Sequence, residues 1–318
     1  MSSKLIEAIK KAETIAISGH INPDGDCVGS TSGLYHYILA NFPEKKVFYF
    51  LQDPAEGIKA VIDMPQTAAY ADYQETVFDL FISLDSSTED RLGDAAPIFD
   101  NAKFRFVVDH HKTNIGFGDE NVIVADASSA CEVLFDLLDE DKINLNCAKS
   151  LYLGIVHDTG VFKYSLTSGH TMEIAGKLMD MGIDTAYTID RSFYEKSWKQ
   201  TKLFARALDK ACLAANGRLS YTVIDKKDLD EFDCTKMDTD GIVEQLRLVN
   251  TVEVAMFIRQ DGENLYKVSL RAKTGIVDVS EISVMYNGGG HKMAAGFSVE
   301  GDIAEIVPTL VEEITKRF

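Results

Sequence analysis

The sequence predicts a parallel α/β domain followed by a smaller α+β domain. Four short runs rich in β-branched and aromatic residues are apolar at successive positions, which is typical of strands covered on both faces. The segments between these runs are long enough for crossover helices, and several carry apolar residues three and four positions apart. The predicted strands are 13–19, 46–51, 78–84 and 104–108, and the predicted helices are 30–40, 129–138, 148–156 and 171–181, with Gly182 as the stop of the last helix.

A second set of elements follows a charged helical stretch. We interpret residues 189–213 as a helical linker, which gives a first domain over 1–188 and a second domain over 214–318. In the second domain two strands are predicted to be joined through residues 260–264, where Asp261-Gly262 indicates a hairpin. The predicted strands there are 219–224, 252–259 and 265–271, and the predicted helices are 241–249 and 303–316.

Composition limits the classes of function. The 318 residues are 46% hydrophobic and 26% charged, which is enough to form a large core, and the formal net charge is −18. Nearly all of the excess negative charge lies in residues 1–190. A protein of this charge is not expected to wrap long DNA or RNA on basic surfaces, although a small anion could bind at one local site.

The cysteines and the N-terminus indicate an intracellular protein. The five cysteines form no CxxC pair, so we expect reduced, buried thiols rather than a zinc ribbon or a disulfide framework. There is no apolar core of signal-peptide length and no membrane-spanning apolar stretch. We therefore expect a cytoplasmic protein with no membrane partner.

Polar residues follow three of the predicted strands. The segment from His20 to Asp26 follows the first strand, and Pro23 and Gly25 favour a tight turn that presents Asp24 and Asp26. A turn ending in an aspartate helix cap would explain the aspartates alone, but not the preceding histidine. Asp85 ends the third strand and is, taken alone, equally well explained as a cap.

Two further positions carry the same residue types. Asp109, His110 and His111 follow the fourth strand, where ionisable side chains need partners. Asp158 lies near the C-terminus of a predicted helix, where the macrodipole disfavours a carboxylate unless a positive group compensates it. The neighbouring His157 would face a different direction, and we expect no role for it in the site.

These positions converge because the carboxyl ends of parallel strands open on one edge of a sheet. Their side chains give six ligands, mainly oxygen, which suits two divalent ions sharing a carboxylate. With no thiolate in the set, manganese or magnesium is favoured over zinc. The natural reaction for such a pair is hydrolysis of a phosphate ester. The six candidate ligands are His20, Asp24, Asp26, Asp85, His110 and Asp158.

The second domain carries a glycine-rich segment and a cationic strand end. Three glycines would let backbone amides approach an anion, and the histidine after them adds a donor. Arg271 could hold a phosphate in a bidentate manner. A flexible turn and a solvated arginine are the plain alternatives. The glycine-rich segment consists of Gly288, Gly289, Gly290 and His291, followed by 294–296.

Together these motifs resemble the DHH phosphoesterase superfamily over nearly the whole chain. The turn at 20–26, Asp85, the tripeptide 109–111 and Asp158 correspond in order to the motifs of its catalytic domain, and 288–296 resembles the signature of the DHH-associated C-terminal domain. A stand-alone chain with two domains is similar to the group that degrades very short oligoribonucleotides (nanoRNA) and dephosphorylates 3′-phosphoadenosine 5′-phosphate (pAp). Cys27 stands where this family often has a small residue, a departure expected to touch no ligand.

The resemblance implies roles for individual residues. It implies two Mn²⁺ ions, with Mg²⁺ or Co²⁺ as substitutes, one held by His20, Asp24 and Asp85 and the other by Asp26, Asp85, His110 and Asp158. A hydroxide bridging the two ions would attack phosphorus. Asp109 would orient a histidine, His111 would face the scissile phosphate, and Arg271, Gly288, Gly289, Gly290 and His291 would bind the substrate as the domains close over it.

Other functions stay open at this point. A stand-alone phosphodiesterase for cyclic di-AMP or its linear product pApA would share every motif. A catalytically silent nucleotide-binding regulator is another alternative, and the presence of all six candidate ligands argues against it. A family II inorganic pyrophosphatase would share the metal ligands, but the GGGH segment argues against that function. The sequence leaves the oligomeric state open, a homodimer included.

Overall fold

Five parallel strands form the core of the first of two units in this computed structural model, which describes residues 3–318. The first unit ends at Glu195 and the second spans Lys196–Phe318. The strands of the first unit are β1 (Thr14–Ser18), β2 (Lys46–Phe50), β3 (Leu80–Leu84), β4 (Arg105–Asp109) and β5 (Glu120–Ile123). Its helices are α1 (Lys4–Lys11), α2 (Gly25–Asn41), α3 (Glu56–Lys59), α4 (Ala96–Asn101), α5 (Ala130–Leu137), α6 (Leu145–Asp158), α7 (Gly169–Asp180) and α8 (Thr185–Ile189), with a short π-helix at Asp190–Tyr194.

The first sheet has the order β2-β1-β3-β4-β5, and all of its pairings are parallel. Alternate residues of β1 pack into different clusters: Ile15 and Ile17 contact one core, and Ala16 contacts another. The sheet is therefore covered on both faces, as the continuous apolar runs predicted. In the sheet β1 lies between β2 and β3, so the chain passes from β1 to β2 in one direction and then crosses back past β1 to β3. The direction of winding therefore reverses between β1 and β3. That reversal is where open α/β sheets bind ligands.

The second unit is built on a six-stranded mixed sheet of order β10-β11-β9-β8-β7-β6. Only the β7 and β8 pair is parallel. Its strands are β6 (Cys212–Ala214), β7 (Leu219–Ile224), β8 (Val254–Gly262), β9 (Leu265–Ala272), β10 (Gly289–His291) and β11 (Ala294–Glu300). Its helices are α9 (Trp198–Asp209), α10 (Lys226–Glu231), α11 (Ile242–Arg247), α12 (Val279–Met285) and α13 (Ile303–Thr315).

Several elements differ from the expectation. The helix α2 begins at Gly25, five residues earlier than predicted, because Asp24 caps it. The hairpin between β8 and β9 does not turn at Asp261-Gly262: β8 continues through Gly262 with a register shift, and Asn264 takes the left-handed conformation at φ 57°. The glycine segment includes a short strand, β10, rather than only a turn. Elements that were not predicted are the helices α1, α3, α4, α8, α10 and α12 and the strands β5, β6 and β11.

The cysteines and the helices agree in part with the expected character of the chain. All five cysteines are free thiols, but Cys212 is exposed, which contradicts the expectation that every thiol is buried. Between residues 3 and 318, no helix combines the length and the apolar composition needed to cross a bilayer.

Candidate active site

The turn after β1 places His20 and Asp24 beside each other. Asp24 is the N-cap of α2, and its Oδ1 accepts hydrogen bonds from the amides of Asp26 and Cys27, each at 3.1 Å. Its other oxygen lies 3.7 Å from His20 Nε2. The capping interpretation of Asp24 is therefore confirmed, and its second oxygen faces His20, so that its role as a ligand stays a prediction.

Asp85 lies at the centre of the site. It follows β3, is 2% exposed and takes a left-handed backbone conformation at φ 54°, which is uncommon for a residue other than glycine. Its Oδ2 lies 3.5 Å from His20 Nε2 and its Oδ1 lies 3.7 Å from His110 Nε2. Among the described residues, Asp85 Oδ1 is buried without a hydrogen-bond partner. A backbone strained in this way persists when the surroundings require that direction of the side chain.

The two histidines of the tripeptide 109–111, at the end of β4, make different contacts. His110 Nδ1 lies 3.4 Å from the carbonyl oxygen of Ala127, and this contact directs His110 Nε2 toward the carboxylates, 3.0 Å from Asp158 Oδ2. His111 Nδ1 donates instead to Asp109 Oδ1 at 2.8 Å, and the His111 ring is partly exposed. Backbone and carboxylate contacts of this kind fix the tautomer of a histidine and leave Nε2 free as a ligand or donor.

Asp26 is held by the N-terminus of α5. Its two carboxylate oxygens accept hydrogen bonds from the amides of Ala130 and Cys131, at 2.6 and 3.0 Å, and the side chain is fully buried. An oxygen of the same carboxylate lies 3.9 Å from His110 Nε2. The positive end of the helix dipole and two amide donors thus position an acidic side chain that the core would otherwise exclude.

Asp158 is the last residue of α6, as expected, and its Oδ2 lies 3.0 Å from His110 Nε2. The chain leaves it through a run of left-handed residues, Gly160, Val161 and Phe162. His157 belongs to none of the candidate ligand sets: its Nε2 lies 3.1 Å from Ser192 Oγ, and its ring packs against Gly25 in the turn.

The pKa shifts within the cluster indicate that it needs additional positive charge. Burial and the neighbouring Asp158 carboxylate raise the pKa of Asp26 to about 7, and burial together with Asp26, Asp24 and Asp158 raises the pKa of Asp85 well above its usual range. Burial disfavours a charged His110, but Asp158, Asp26 and Asp85 outweigh it and raise the pKa of His110 to about 10. Several acidic groups therefore share too little positive charge, and a divalent cation would supply it.

The donor geometry fits such cations. Three sets of ligand atoms each lie within 4.8 Å of one another, and Asp85 belongs to two of the sets, as a bridging carboxylate would. The unpartnered Asp85 Oδ1 is an orphaned buried oxygen of the kind that a metal ion satisfies. The sets are His20, Cys27 and Asp85; Asp85, His110 and His111; and Asp26, His110 and Asp158.

Cys27 belongs to the first of these sets, a position that the sequence interpretation did not anticipate. We expected this residue to touch no ligand and the site to contain no sulfur. The structure brings its Sγ into the group formed with His20 and Asp85. The position three residues into α2 turns the thiol back toward the turn that carries His20.

In the second unit, Arg271 and His291 lie in one row across the sheet. Both are paired in register with Ala294, Arg271 on β9 and His291 on β10. Directly opposite residues of neighbouring strands point to the same face, so the two side chains project from that face about two strand spacings, roughly 10 Å, apart. Arg271 Nε donates to Glu244 Oε1 at 2.8 Å, which orients the guanidinium group.

Close packing requires two of the three glycines beside His291, and it does not require the third. A Cβ atom at Gly288 would lie 2.4 Å from the carbonyl oxygen of Gly296, and Gly290 has φ 139° and would clash with the carbonyl oxygen of Ala294. The close approach of β10 to β11 thus requires both. A Cβ at Gly289 would meet nothing within 4 Å, so this glycine has an open face toward which an anion could approach.

Sequence reasoning missed several polar residues near these groups, among them Asn114, Glu244 and Arg91, whose Nη2 lies 3.0 Å from His20 Nδ1. Asn114 is buried and donates to Asp109 Oδ2 at 2.7 Å and to the Ser86 carbonyl oxygen at 3.0 Å, so it ties the loop after β4 to the loop after β3. Glu244 orients Arg271 from α11. None of the three lies in a motif, and no spacing in the sequence singles them out.

The fold and the site define a protein with a parallel α/β domain, a histidine and carboxylate cluster at the carboxyl edge of its sheet, and a second mixed-sheet domain. Residues 14–155 match the DHH family, N-terminal domain, and residues 216–318 match the DHHA1 domain. The chain belongs to the DHH family, which confirms the resemblance and the fold class drawn from the sequence.

Relatives of similar length are known. The chain is 32% identical over 297 residues to the "Probable bifunctional oligoribonuclease and PAP phosphatase NrnA" of Streptococcus mutans, covering 92% of this chain and 91% of the relative. It is 27% identical to the "Bifunctional oligoribonuclease and PAP phosphatase NrnA" of Bacillus subtilis, covering 94% and 93%. An exopolyphosphatase-related protein from Bacteroides fragilis shares the fold, with a TM-score of 0.89 at 24% identity over 98% of this chain and 94% of that one.

Proposed function

We propose that this protein is a metal-dependent phosphoric ester hydrolase that degrades short oligoribonucleotides to mononucleotides and converts pAp to AMP. The observation that carries this proposal is the convergence of His20, Asp26, Asp85, His110 and Asp158 at one sheet edge around an unpartnered carboxylate oxygen. The relatives named for these two activities match this chain over nearly its full length, which supports the choice of substrates.

The six candidate ligands would hold two divalent ions. His20, Asp24 and Asp85 would hold one ion and Asp26, Asp85, His110 and Asp158 the other, with Asp85 common to both; the short distances among these side chains support this assignment. We propose Mn²⁺ as the ion, with Mg²⁺ or Co²⁺ as substitutes. Such ions, when bound, would lower the pKa of a coordinated water and neutralise charge on the phosphoryl group.

The remaining residues would position the substrate and the reacting groups. Asp109 holds His111 through Nδ1, so the Nε2 atom of this partly exposed ring is available to a phosphate oxygen. Asn114 keeps Asp109 in place by donating to its second oxygen. A histidine fixed on one side in this way costs less entropy to order when the substrate binds.

Arg271 and His291 would bind the phosphate or the sugar-phosphate chain of the substrate. Their placement on one face of the second sheet lets both reach a single anionic ligand, and the open face of Gly289 adds room for it. Arg271 keeps Nη2 available because Nε donates to Glu244 and Nη1 donates to the Leu270 carbonyl oxygen. A small number of donors of this kind suits a short substrate and offers no track for a long one.

A hydrolysis panel with Mn²⁺ tests the proposal. The substrates are pAp, ribonucleotides of two to five units, short DNA, pApA and cyclic di-AMP, each assayed with metal-loaded and with chelator-treated protein. We expect the highest kcat/KM on pAp and on the shortest ribonucleotides, and loss of activity in chelator that added Mn²⁺ restores. A dominant rate on cyclic di-AMP would overturn the substrate assignment, and full activity in chelator would overturn the metal dependence.

A further inference from the structure

The thiol of Cys27 occupies an unusual place for a buried cysteine. The residue lies in the first turn of α2 with no exposed surface, and its Sγ is 3.8 Å from the carbonyl oxygen of His20. It packs against Gly19, where a Cβ atom would lie 2.3 Å from the sulfur. The turn and the helix thus hold the sulfur in one position beside the candidate ligands.

The sulfur is part of a set of three ligand atoms. Its Sγ, a ring nitrogen of His20 and a carboxylate oxygen of Asp85 all lie within 4.8 Å of one another. This limit is close to the span of two metal bonds, each about 2.0 to 2.3 Å long, so small shifts would let all three atoms bind one ion. Other buried thiols differ in this respect: Cys147 belongs to none of the ligand sets found among residues 3–318.

A second observation concerns the Asp85 carboxylate itself. It is 2% exposed, its Oδ2 lies 3.5 Å from His20 Nε2, and its Oδ1, which lies on the His110 side, has no hydrogen-bond partner among the described residues. A buried carboxylate oxygen without a donor is costly, and a cation beside the carboxylate removes that cost. The need of this carboxylate for a cation is therefore independent of the thiol.

We propose that Cys27 is a sulfur ligand of the ion held by His20 and Asp85, so that this position prefers thiophilic divalent ions such as Co²⁺, Zn²⁺ or Cd²⁺ more strongly than a set of nitrogen and oxygen ligands would. The inference rests on the metal position of the proposed function. Binding displaces the thiol proton to solvent and forms one bond from sulfur to the ion, and no oxidant takes part. Sulfur ligands select softer ions over Mn²⁺ and Mg²⁺.

Cobalt spectroscopy tests the ligation without an activity assay. The purified full chain is stripped of metal and titrated with Co²⁺, and absorbance is followed in the visible range and in the near ultraviolet. We expect visible d–d bands, which report any bound cobalt, together with a thiolate-to-cobalt charge-transfer band in the near ultraviolet. In Cys27→Ala and in the nearly isosteric Cys27→Ser the charge-transfer band is lost while the visible bands remain.

Competition titrations provide the quantitative readout. We expect Cys27→Ala to weaken Cd²⁺ binding by about tenfold or more while Mn²⁺ affinity changes much less. The matched control is Cys147→Ala, which removes one buried sulfur away from the ligand sets and should keep both the band and the affinities.

The outcomes separate this inference from the proposed function. Visible bands without a charge-transfer band in the unmodified protein would overturn the sulfur ligation and leave the metal site intact. Equal loss of the band in Cys147→Ala would also overturn it. An absence of any metal binding in the competition titrations would contradict the metal site itself, and with it the ligation.

Discussion

Asp85 shows how one residue combines strain, burial and charge. Its left-handed backbone at φ 54° turns the carboxylate between His20 and His110, and its burial raises its pKa beside other acidic groups. Each of these features destabilises the metal-free fold. They are consistent with a side chain that is placed to bind two ions rather than to stabilise the protein.

Replacement of this carboxylate separates activity from stability. We expect Asp85→Asn to lower kcat on pAp by about a hundredfold or more, because an amide bridges two cations poorly. The melting temperature of the metal-free protein should stay the same or rise, because the change removes one buried acid from the cluster. Enzyme assays with Mn²⁺ and thermal denaturation in chelator measure the two effects.

A suitable control for this variant is Asp126→Asn. Asp126 is an exposed acid of the same unit and belongs to none of the ligand sets. This control should keep full activity. Turnover near the unmodified level in Asp85→Asn would contradict the shared-ligand arrangement.

At the scale of elements, close packing of α2 against α6 fixes the site. A Cβ atom at Gly29 would lie 2.4 Å from the Ser150 carbonyl oxygen, and one at Gly154 would lie 2.2 Å from Cys131 Sγ and 2.7 Å from Asp26 Oδ1. These glycines let the two helices approach closely. The approach brings Asp26, near the start of α2, toward Asp158 at the end of α6, where both contact His110.

An added methyl group on α6 should therefore affect both the fold and the metal site. We expect Gly154→Ala to destabilise the protein by about 1 to 3 kcal/mol through overpacking. It should also weaken Mn²⁺ binding, because the new methyl group displaces the Asp26 carboxylate. Chemical denaturation and calorimetric titration with Mn²⁺ measure these quantities.

Gly176→Ala is the matched control on α7. A Cβ there would meet nothing within 4 Å, so alanine should be neutral or stabilising by up to about 1 kcal/mol, with unchanged Mn²⁺ affinity. If Gly154→Ala behaved like this control, the close approach of α2 and α6 would not be what positions Asp26.

At the scale of the whole molecule, charge limits the substrate. The net charge of −18 repels polyanions on average, and the proposed contacts to phosphate in the second unit are few. Affinity for nucleic acid that depended on many phosphate contacts would be lost in such a protein. The two proposed cations and a few local donors would still bind a substrate that carries only a few charges.

Chain length should therefore control the rate. We expect the initial rate per RNA molecule, at equal low concentration, to fall about tenfold or more between a trinucleotide and an RNA of about 20 nucleotides. Electrophoretic separation of end-labelled RNAs that share the same terminal sequence measures this. Equal rates on the two lengths would show that the negative surface does not restrict the substrate.

The sequence predicted much of the fold because apolar periodicity reports burial directly. Four strands of the first sheet and the helices α5, α6 and α7 were predicted close to their observed bounds. The half-exposed strand β5 and the short elements of the second unit were missed, since they carry little periodic signal. The turn at Asp261-Gly262 was misplaced because a register shift extended β8 beyond it.

By itself, the sequence determined which residue types stand at the ends of β1, β3, β4 and α6, and parallel strands require the first three to share an edge. Only the tertiary structure decided which atoms meet. It gave Asp26 two amide donors from α5, made Asn114 the support of Asp109, and brought the Cys27 sulfur to the ligands. These contacts depend on helix packing and loop conformation, because neighbours distant in sequence set the direction of each side chain. No local sequence pattern predicts that direction.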